Sequence, residues 1–197
     1  MQNLNVALVQ PEQFWEDKTA NLNHLEQLLT NLKEPVQMVV LPEMFQTGFT
    51  MNVKAMAEPM NGSSVAWLKA QAQQFNATFI ASLIINENDR YFNRLVVVNE
   101  NGVQAHYDKI KRFSLAGEDQ HFSAGEQSVT VNLLGWNIRL QICYDLRFPN
   151  LAKNAVIGET FDYDILLNIA NWPAKRSHHW KTLLTARATE NQCYVLA

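Results

Sequence analysis

The chain has 197 residues, a formal net charge of −3 at pH 7 and 47% hydrophobic residues, which predicts one soluble domain, residues 1–197, with a substantial core. The small charge of mixed sign argues against nucleic acid or an anionic membrane as a partner. Two distant cysteines indicate neither a disulfide framework nor a zinc site, and neither a secretory signal nor a long apolar span is visible, so we expect a cytoplasmic protein.

The first half of the chain predicts strands separated by helices. Apolar residues at helical spacing begin at Leu22 and stop before Pro35, and Ser63 or Ser64 can cap a second helix. Strands are predicted at residues 5–10, 36–41, 78–85, 91–98 and 103–107. Because Asn101-Gly102 is a signal for a tight turn, we expect the last of these strands to be antiparallel neighbours.

The second half begins with an irregular segment, residues 108–127, and then returns to strands and helices. Long irregular segments in compact domains tend to be functional. The later elements are predicted as strands at 128–131, 136–142, 163–170 and 193–197, and as helices at 151–155 and 177–191. Because helices fall between strands and hairpins are mixed in, the pattern predicts an α/β protein with mixed sheets and helices outside.

Four reactive side chains lie at predicted strand exits or in the irregular segment: Glu43, Lys109, Glu118 and Cys143. Cys143 ends an alternating strand, and Glu43 follows a buried one. A thiol needs a base to become a thiolate, a buried carboxylate can act as that base, and an ammonium can stabilise an oxyanion. Together, the four groups are suited to acyl transfer.

Each of the four also has a structural interpretation. Cys143 can be a small core residue, Glu43 a turn or helix cap, Lys109 a surface charge and Glu118 a solvated loop residue. Taken singly, each structural interpretation is the commoner one. The residue pattern alone does not bring the four side chains together.

Several segments follow one another in the order typical of one enzyme family. They are Leu41-Pro42-Glu43-Met44-Phe45 with Gly48-Phe49, Tyr107-Asp108-Lys109, the loop from Gly117-Glu118 to Gly125, Cys143-Tyr144-Asp145-Leu146-Arg147-Phe148-Pro149, Ala170-Asn171-Trp172-Pro173 and Ala186-Arg187-Ala188-Thr189-Glu190-Asn191. Over almost its whole length the chain resembles the nitrilase superfamily of carbon–nitrogen hydrolases. The run from Cys143 to Pro149 and the Asn171-Trp172-Pro173-Ala174 segment are most similar to the bacterial omega-amidase, or 2-oxoglutaramate amidase, branch.

The resemblance implies a hydrolase with a Glu–Lys–Cys triad. Cys143 would attack the amide carbon and form a thioester, and Glu43 would serve as base and then as acid. Lys109 would stabilise the oxyanion with the backbone N–H of Tyr144. Glu118 would position Lys109 and the substrate. The family mechanism needs neither a metal nor an organic cofactor.

The resemblance also implies the substrate class, the omega-amides of small 2-oxo acids such as 2-oxoglutaramate or 2-oxosuccinamate. Arg147, Asn171 and Trp172 are expected on the substrate side, with Arg147 holding a carboxylate by charge-assisted hydrogen bonds. Equally, Arg147 can be an ion-pair partner of Asp145 or of a buried carboxylate, and we favour this structural role. A nitrile or N-carbamoyl hydrolase with the same four residues is an alternative function.

The implied fold is a four-layer α-β-β-α sandwich of two mixed sheets with helices outside, usually dimeric, so we expect a homodimer. Two departures from the family stand out. Lys111-Arg112-Phe113 replaces the family's His-Leu-Phe, which adds two positive charges that either favour an anionic substrate or are simply solvated. The family continues beyond Asn191 with a further strand pair, so we interpret the chain as truncated at its C-terminus. A catalytically silent homologue or an interaction subunit is therefore the alternative to an enzyme.

Overall fold

The computed structural model describes residues 2–197, apart from the side chain of Ile157. Strands and helices alternate along these residues, and hairpins interrupt the alternation. The strands are β1 (Val6–Leu8), β2 (Met38–Val40), β3 (Thr78–Glu87), β4 (Arg90–Asn99), β5 (Gly102–Asp108), β6 (Thr130–Leu133), β7 (Trp136–Ile142), β8 (Val156–Ile157), β9 (Thr160–Phe161), β10 (Ile165–Ile169) and β11 (Tyr194–Leu196). The helices are α1 (Lys18–Leu29), α2 (Val53–Met56), α3 (Ser63–Phe75), α4 (Glu118–His121), α5 (Pro149–Ala152) and α6 (Ser177–Asn191).

Two mixed sheets form the centre of the fold. The first has the order β1-β2-β3-β4-β5, in which β1, β2 and β3 are parallel and β3, β4 and β5 form an antiparallel meander. The second has the order β11-β10-β7-β6, in which β7, β10 and β11 are parallel and β6 is antiparallel to β7. A separate hairpin joins β8 to β9.

The two sheets pack face to face through their inner side chains. Because side chains alternate along a strand, Leu140 of β7 and Leu167 of β10 face the first sheet, where Val40 and Leu95 meet them. On the outer face of the first sheet, Leu25 of α1 and Leu68 of α3 pack against β3. On the outer face of the second, Leu166 of β10 packs against Ala152 of α5. These contacts confirm the α-β-β-α sandwich.

The helix boundaries follow from local chemistry. Asp17 caps α1, because its carboxylate accepts a hydrogen bond from the backbone N–H of Ala20 at 2.9 Å. Asn76 and Gln192 end α3 and α6 in the left-handed conformation that commonly closes a helix. The longest of the helices within residues 2–197, α6, has 15 residues, and none is long and apolar enough to cross a membrane.

Most of the predicted elements are present with small shifts. The antiparallel meander is confirmed, and α6 covers the predicted residues 177–191. The first strand is shorter than the predicted 5–10, and the helix predicted at 151–155 lies at Pro149–Ala152. Three elements have no counterpart in the prediction, namely α2, the β8–β9 hairpin, and α4, which lies in the segment predicted as irregular. All three consist of segments of four residues or fewer, which are too short for a recognisable period.

Candidate active site

Strand exits from both sheets converge on one point. Lys109 follows β5 directly, Glu43 lies three residues beyond β2, and Cys143 follows β7 directly. Glu118 enters from the irregular segment as the first residue of α4. All four side chains are buried, and Cys143 keeps 8% of its surface exposed.

The chain turns sharply at Cys143, which has a left-handed φ of 47°, a conformation that is uncommon for a residue with a side chain. The buried side chain of Asp145 stabilises this turn. Its carboxylate accepts hydrogen bonds from the N–H of Ile142 at 3.0 Å, the N–H of Lys111 at 2.7 Å and the hydroxyl of Tyr107 at 2.7 Å. The turn that carries the thiol is therefore tied to the end of β5.

A buried ammonium lies between two buried carboxylates. The Nζ atom of Lys109 lies 2.8 Å from Oε1 of Glu43, and 3.0 and 2.9 Å from Oε1 and Oε2 of Glu118. When all three groups are ionised, the cluster carries a net charge of −1. Removing one member of such a cluster would leave an uncompensated charge in the interior, which is strongly unfavourable.

Two asparagines complete the hydrogen bonds of the Glu43 carboxylate. Nδ2 of Asn93 donates to Oε1 of Glu43 at 2.8 Å and to Oε1 of Glu118 at 3.2 Å. The backbone N–H of Asn171 donates to Oε2 of Glu43 at 2.8 Å, and its Nδ2 donates to the carbonyl of Glu43 at 2.6 Å. The side-chain amide of Asn171, expected on the substrate side, is thus engaged with Glu43 although the residue lines the cavity.

Sequence reasoning missed Asn93 and its partner Ser82. The hydroxyl of Ser82 donates to Oδ1 of Asn93 at 2.9 Å and accepts from the N–H of Met44 at 2.9 Å. Both residues lie in the buried parts of β3 and β4. For Ser82 the available signal was a hydroxyl within an apolar run of β3, because buried polar groups require partners, whereas Asn93 lies next to Arg94 and gave no such signal.

The cluster strongly shifts the protonation of the thiol and the ammonium. Burial and the nearby Glu43 carboxylate raise the pKa of Cys143 well above that of a free thiol, against the opposing effect of Lys109. Burial alone would lower the pKa of Lys109, but Glu43, Cys143 and Glu118 outweigh it, so the pKa is raised. The resting site therefore holds a neutral thiol beside a charged ammonium and a carboxylate that can accept the thiol proton.

A cavity of about 220 Å³ opens above the thiol. This volume is below the about 300–1,000 Å³ typical of sites for drug-sized ligands, so the cavity suits a small metabolite. Four aromatic residues and two arginines are among the ten residues that line it: Phe49, Phe113, Ala116, Cys143, Tyr144, Arg147, Asn171, Trp172, Pro173 and Arg176.

Arg147 does not have the structural role that we favoured from the sequence. Asp145 is occupied by the three donors described above, and within residues 2–197 no carboxylate forms an ion pair with Arg147. Instead, Nη2 of Arg147 lies 3.2 Å from Nδ1 of His179, and its guanidinium stacks 5.0 Å above the ring of Trp172. Arg147 and Trp172 thus form one wall of the cavity, as expected for residues on the substrate side.

The two basic residues that depart from the family pattern do not line the cavity. Arg112 donates to the backbone carbonyls of Asp119 and Phe122, which ties down the irregular segment. The ammonium of Lys111 lies 4.9 Å above the ring of Phe148. Among the described side chains, no three His, Cys, Asp or Glu residues are grouped so that they could hold a metal ion.

Comparison with known proteins identifies the family. The carbon-nitrogen hydrolase family model matches residues 5–197. The omega-amidase YafV of Yersinia enterocolitica is 42% identical over 195 residues, which cover 99% of this chain and 73% of that protein. The 2-oxoglutaramate amidase of Bacillus subtilis is 32% identical, covering 90% of this chain and 68% of the relative.

A solved structure agrees with these sequence matches. A CN-hydrolase superfamily protein of Xanthomonas campestris, 38% identical, superposes with a TM-score of 0.93 and covers 99% of this chain and 75% of that one. The family match spans nearly the whole sequence, and the segments that carry it build the buried cluster around Cys143. The chain belongs to the carbon–nitrogen hydrolase family.

Proposed function

We propose that this carbon–nitrogen hydrolase is an amidase that converts the omega-amide of a small 2-oxo acid, of the 2-oxoglutaramate or 2-oxosuccinamate type, into the acid and ammonia. The observation that carries the proposal is the buried Lys109 ammonium held between Glu43 and Glu118 beside a thiol that opens onto a small cavity. The relatives named as omega-amidase and 2-oxoglutaramate amidase support the substrate class.

The first step forms a thioester. Glu43 takes the proton from the Cys143 thiol, and the sulfur attacks the amide carbon, whose π electrons move onto oxygen. The ammonium of Lys109 has three N–H donors, and one of them can serve both oxygens of Glu118 while another serves Glu43. The third donor, with the backbone N–H of Tyr144, stabilises the oxyanion.

The second step returns the enzyme to its starting state. As the tetrahedral intermediate collapses, Glu43 gives its proton to the leaving nitrogen, the C–N bond breaks and ammonia departs. Glu43 then takes a proton from water, the resulting hydroxide attacks the thioester carbon, and the C–S bond breaks with return of that proton to sulfur. Every proton is supplied by the amide, the thiol or water.

Glu118 and Asn93 act as positioning residues in this scheme. Glu118 binds the Lys109 ammonium through both of its carboxylate oxygens, and Asn93 fixes both carboxylates with one amide nitrogen. Lys109 and Asn93 donate to Oε1 of Glu43 and Asn171 donates to Oε2, which fixes the orientation of the carboxylate and leaves one lone pair of Oε2 to exchange a proton with sulfur and substrate.

The test is ammonia release from a panel of substrates: 2-oxoglutaramate, 2-oxosuccinamate, a short nitrile and an N-carbamoyl amino acid. We expect kcat/KM to be highest for the 2-oxo acid amides, and a covalent adduct on Cys143 to accumulate in rapidly quenched samples. Preference for the nitrile or the N-carbamoyl compound would identify the alternative hydrolase. No turnover of any panel member would favour a silent homologue or an interaction subunit.

We further propose that residues 1–197 form a single domain that works as a homodimer in the cytoplasm. The family's usual dimer supports the assembly, and the two unpaired cysteines, Cys143 and Cys193, fit a reducing compartment. Sedimentation equilibrium at micromolar concentration tests the assembly, and a single monomeric species would contradict it.

A further inference from the structure

The cavity beside Cys143 is lined by two arginines, Arg147 and Arg176. Arg147 comes from the turn that follows Cys143, and Arg176 from the short 3-10 turn Ala174–Arg176 after β10. Of the five other arginines, three pair with a carboxylate, namely Arg94, Arg139 and Arg187, while Arg112 binds backbone carbonyls and Arg90 binds the Ser123 hydroxyl. In the part of the chain that the structure describes, neither cavity arginine pairs with a carboxylate.

Arg176 is held in place by packing and by its backbone. Its guanidinium lies 5.5 Å above the ring of Phe113, and its backbone carbonyl accepts a hydrogen bond from Nε1 of Trp172 at 2.9 Å. Phe113 is itself fixed, because its N–H donates to Glu118 and its ring packs against Tyr144. The position of the guanidinium is therefore set by the same residues that build the catalytic cluster.

The two arginines differ in the donors that they leave available. Arg147 uses Nη2 in its contact with His179. The side chain of Arg176 makes no hydrogen bond to any other described residue. Stacking on an aromatic face leaves the in-plane N–H groups of a guanidinium free. Arg176 can thus present its complete planar fork, which matches the two oxygens of a carboxylate.

We propose that Arg176 is a specificity-determining residue of the amidase, which binds the substrate carboxylate at the end remote from the scissile amide, beside Arg147. This inference rests on the proposed function and deepens it. The buried cluster of Lys109, Glu43 and Glu118 carries a net negative charge, which disfavours an anionic substrate unless positive charge lies nearby. Arg176 supplies that charge at the cavity wall, and the small cavity volume limits the substrate to a short chain between amide and carboxylate.

The test compares two amides that differ only at the remote end. In 4-oxopentanamide a methyl group replaces the carboxylate of 2-oxoglutaramate, while the scissile amide and the ketone remain. For Arg176→Gln we expect kcat/KM for 2-oxoglutaramate to fall about 10–100-fold, mostly through KM, because a hydrogen bond to a charged group is lost. For 4-oxopentanamide the same variant should change kcat/KM less than about threefold.

Lys175→Gln is the matched control. Lys175 is exposed, lies one residue away on the same turn and does not line the cavity, so this variant removes the same charge without touching the site. Lys175→Gln should leave kcat/KM unchanged for both 2-oxoglutaramate and 4-oxopentanamide. Arg176→Lys keeps the charge but lacks the planar fork, and we expect a severalfold loss with 2-oxoglutaramate only. If Arg176→Gln has a strongly lowered melting temperature, Arg176→Lys tests the inference instead, through the same difference in kcat/KM between the two amides.

Equal losses for the two amides, or no loss with 2-oxoglutaramate, would overturn the inference. A binding measurement separates this failure from failure of the proposed function. In a Cys143→Ala background, titration with 2-oxoglutarate, followed by isothermal titration calorimetry, should show saturable binding that Arg176→Gln weakens about tenfold or more. If Arg176→Gln leaves the binding of 2-oxoglutarate unchanged, or if 2-oxoglutarate does not bind at all, the carboxylate subsite is refuted. If binding depends on Arg176 but the unmodified enzyme does not hydrolyse the amide, only the proposed reaction is refuted.

Discussion

Replacing Asp145 by asparagine should change how the stability of the protein depends on pH. Asp145 is fully buried and accepts hydrogen bonds from Ile142, Lys111 and Tyr107, which hold the turn that carries Cys143. Burial raises the pKa of Asp145 from 3.8 to about 6, although these hydrogen bonds and Lys109 oppose the shift. Asparagine has nearly the same shape but no proton to release in this range.

The sign and size of the effect follow from this pKa. The unfolded chain loses the proton near pH 3.8, whereas the folded protein keeps it up to about pH 6. Between these values the folded state binds more protons than the unfolded state, so the free energy of unfolding decreases as the pH rises. A difference of about two pH units corresponds to about 3 kcal/mol. This contribution is fully present below pH 3.8 and is lost above about pH 6.

The assay is urea unfolding of both proteins at several pH values from 3.5 to 7.5, followed by circular dichroism. Other carboxyl groups titrate in both proteins, so the informative quantity is the difference between the two free energies of unfolding. Relative to the wild type, Asp145→Asn should gain about 3 kcal/mol over the whole range from pH 3.5 to pH 7.5, most of it between pH 4 and pH 6.5. Parallel curves, or a relative loss in this range, would show that the Asp145 proton is not retained in the folded state.

Four further substitutions test the reaction and its supports. Cys143→Ala should abolish ammonia release while leaving the melting temperature within a few degrees, and unchanged ammonia release would end the assignment of the nucleophile. Lys109→Ala should lower the free energy of unfolding, because two buried carboxylates lose their cation, and in the folded protein it should lower kcat about 100–1,000-fold with little change in KM, because the oxyanion forms only during the reaction; a pure loss of affinity would contradict this. Asn93→Ala should lower the free energy of unfolding by about 3 kcal/mol in urea titrations, since two charge-assisted hydrogen bonds are lost, and an unchanged midpoint would show that Asn93 does not support the cluster. His179→Ala should raise KM for 2-oxoglutaramate about two- to tenfold without affecting 4-oxopentanamide, because His179 steadies Arg147; equal changes for both amides would exclude that role.

The sequence was sufficient to predict the elements that carry the nucleophile and the base. The alternation before Cys143 and the apolar run before Glu43 are strong strand patterns, and both residues lie at the exits of the strands that these patterns predict. Periodicity does not show that Glu43, Lys109 and Cys143 lie in one site. That expectation came from the resemblance to a known family. The meander of β3, β4 and β5 was also readable, because a polar turn separates β3 from β4 and Asn101-Gly102 marks the turn between β4 and β5.

The supporting contacts were not predictable from local patterns. Asn93 is a polar residue in a strand, and nothing in the strand period distinguishes a buried partner of Glu43 from a solvated side chain. The partner of Arg147 was expected nearby in sequence, at Asp145, but the side chain reaches His179 on α6, and Asp145 points inward to backbone donors. These side-chain contacts depend on which strands and helices pack together. The periodicity of the sequence does not encode that packing.

The bonds around Cys143 join groups from opposite halves of the sandwich. Asn171, at the exit of β10, binds Glu43 beyond β2, and Tyr107 of β5 binds Asp145 after β7. A small slip of one sheet over the other would break both links at once and expose the sulfur further. Because the cavity already gives small reagents access to Cys143, only labelling of this thiol faster than in the resting enzyme would report separation of the sheets. An unfolding intermediate with both sheets formed but undocked would show this faster labelling by mass spectrometry while its circular dichroism stays native.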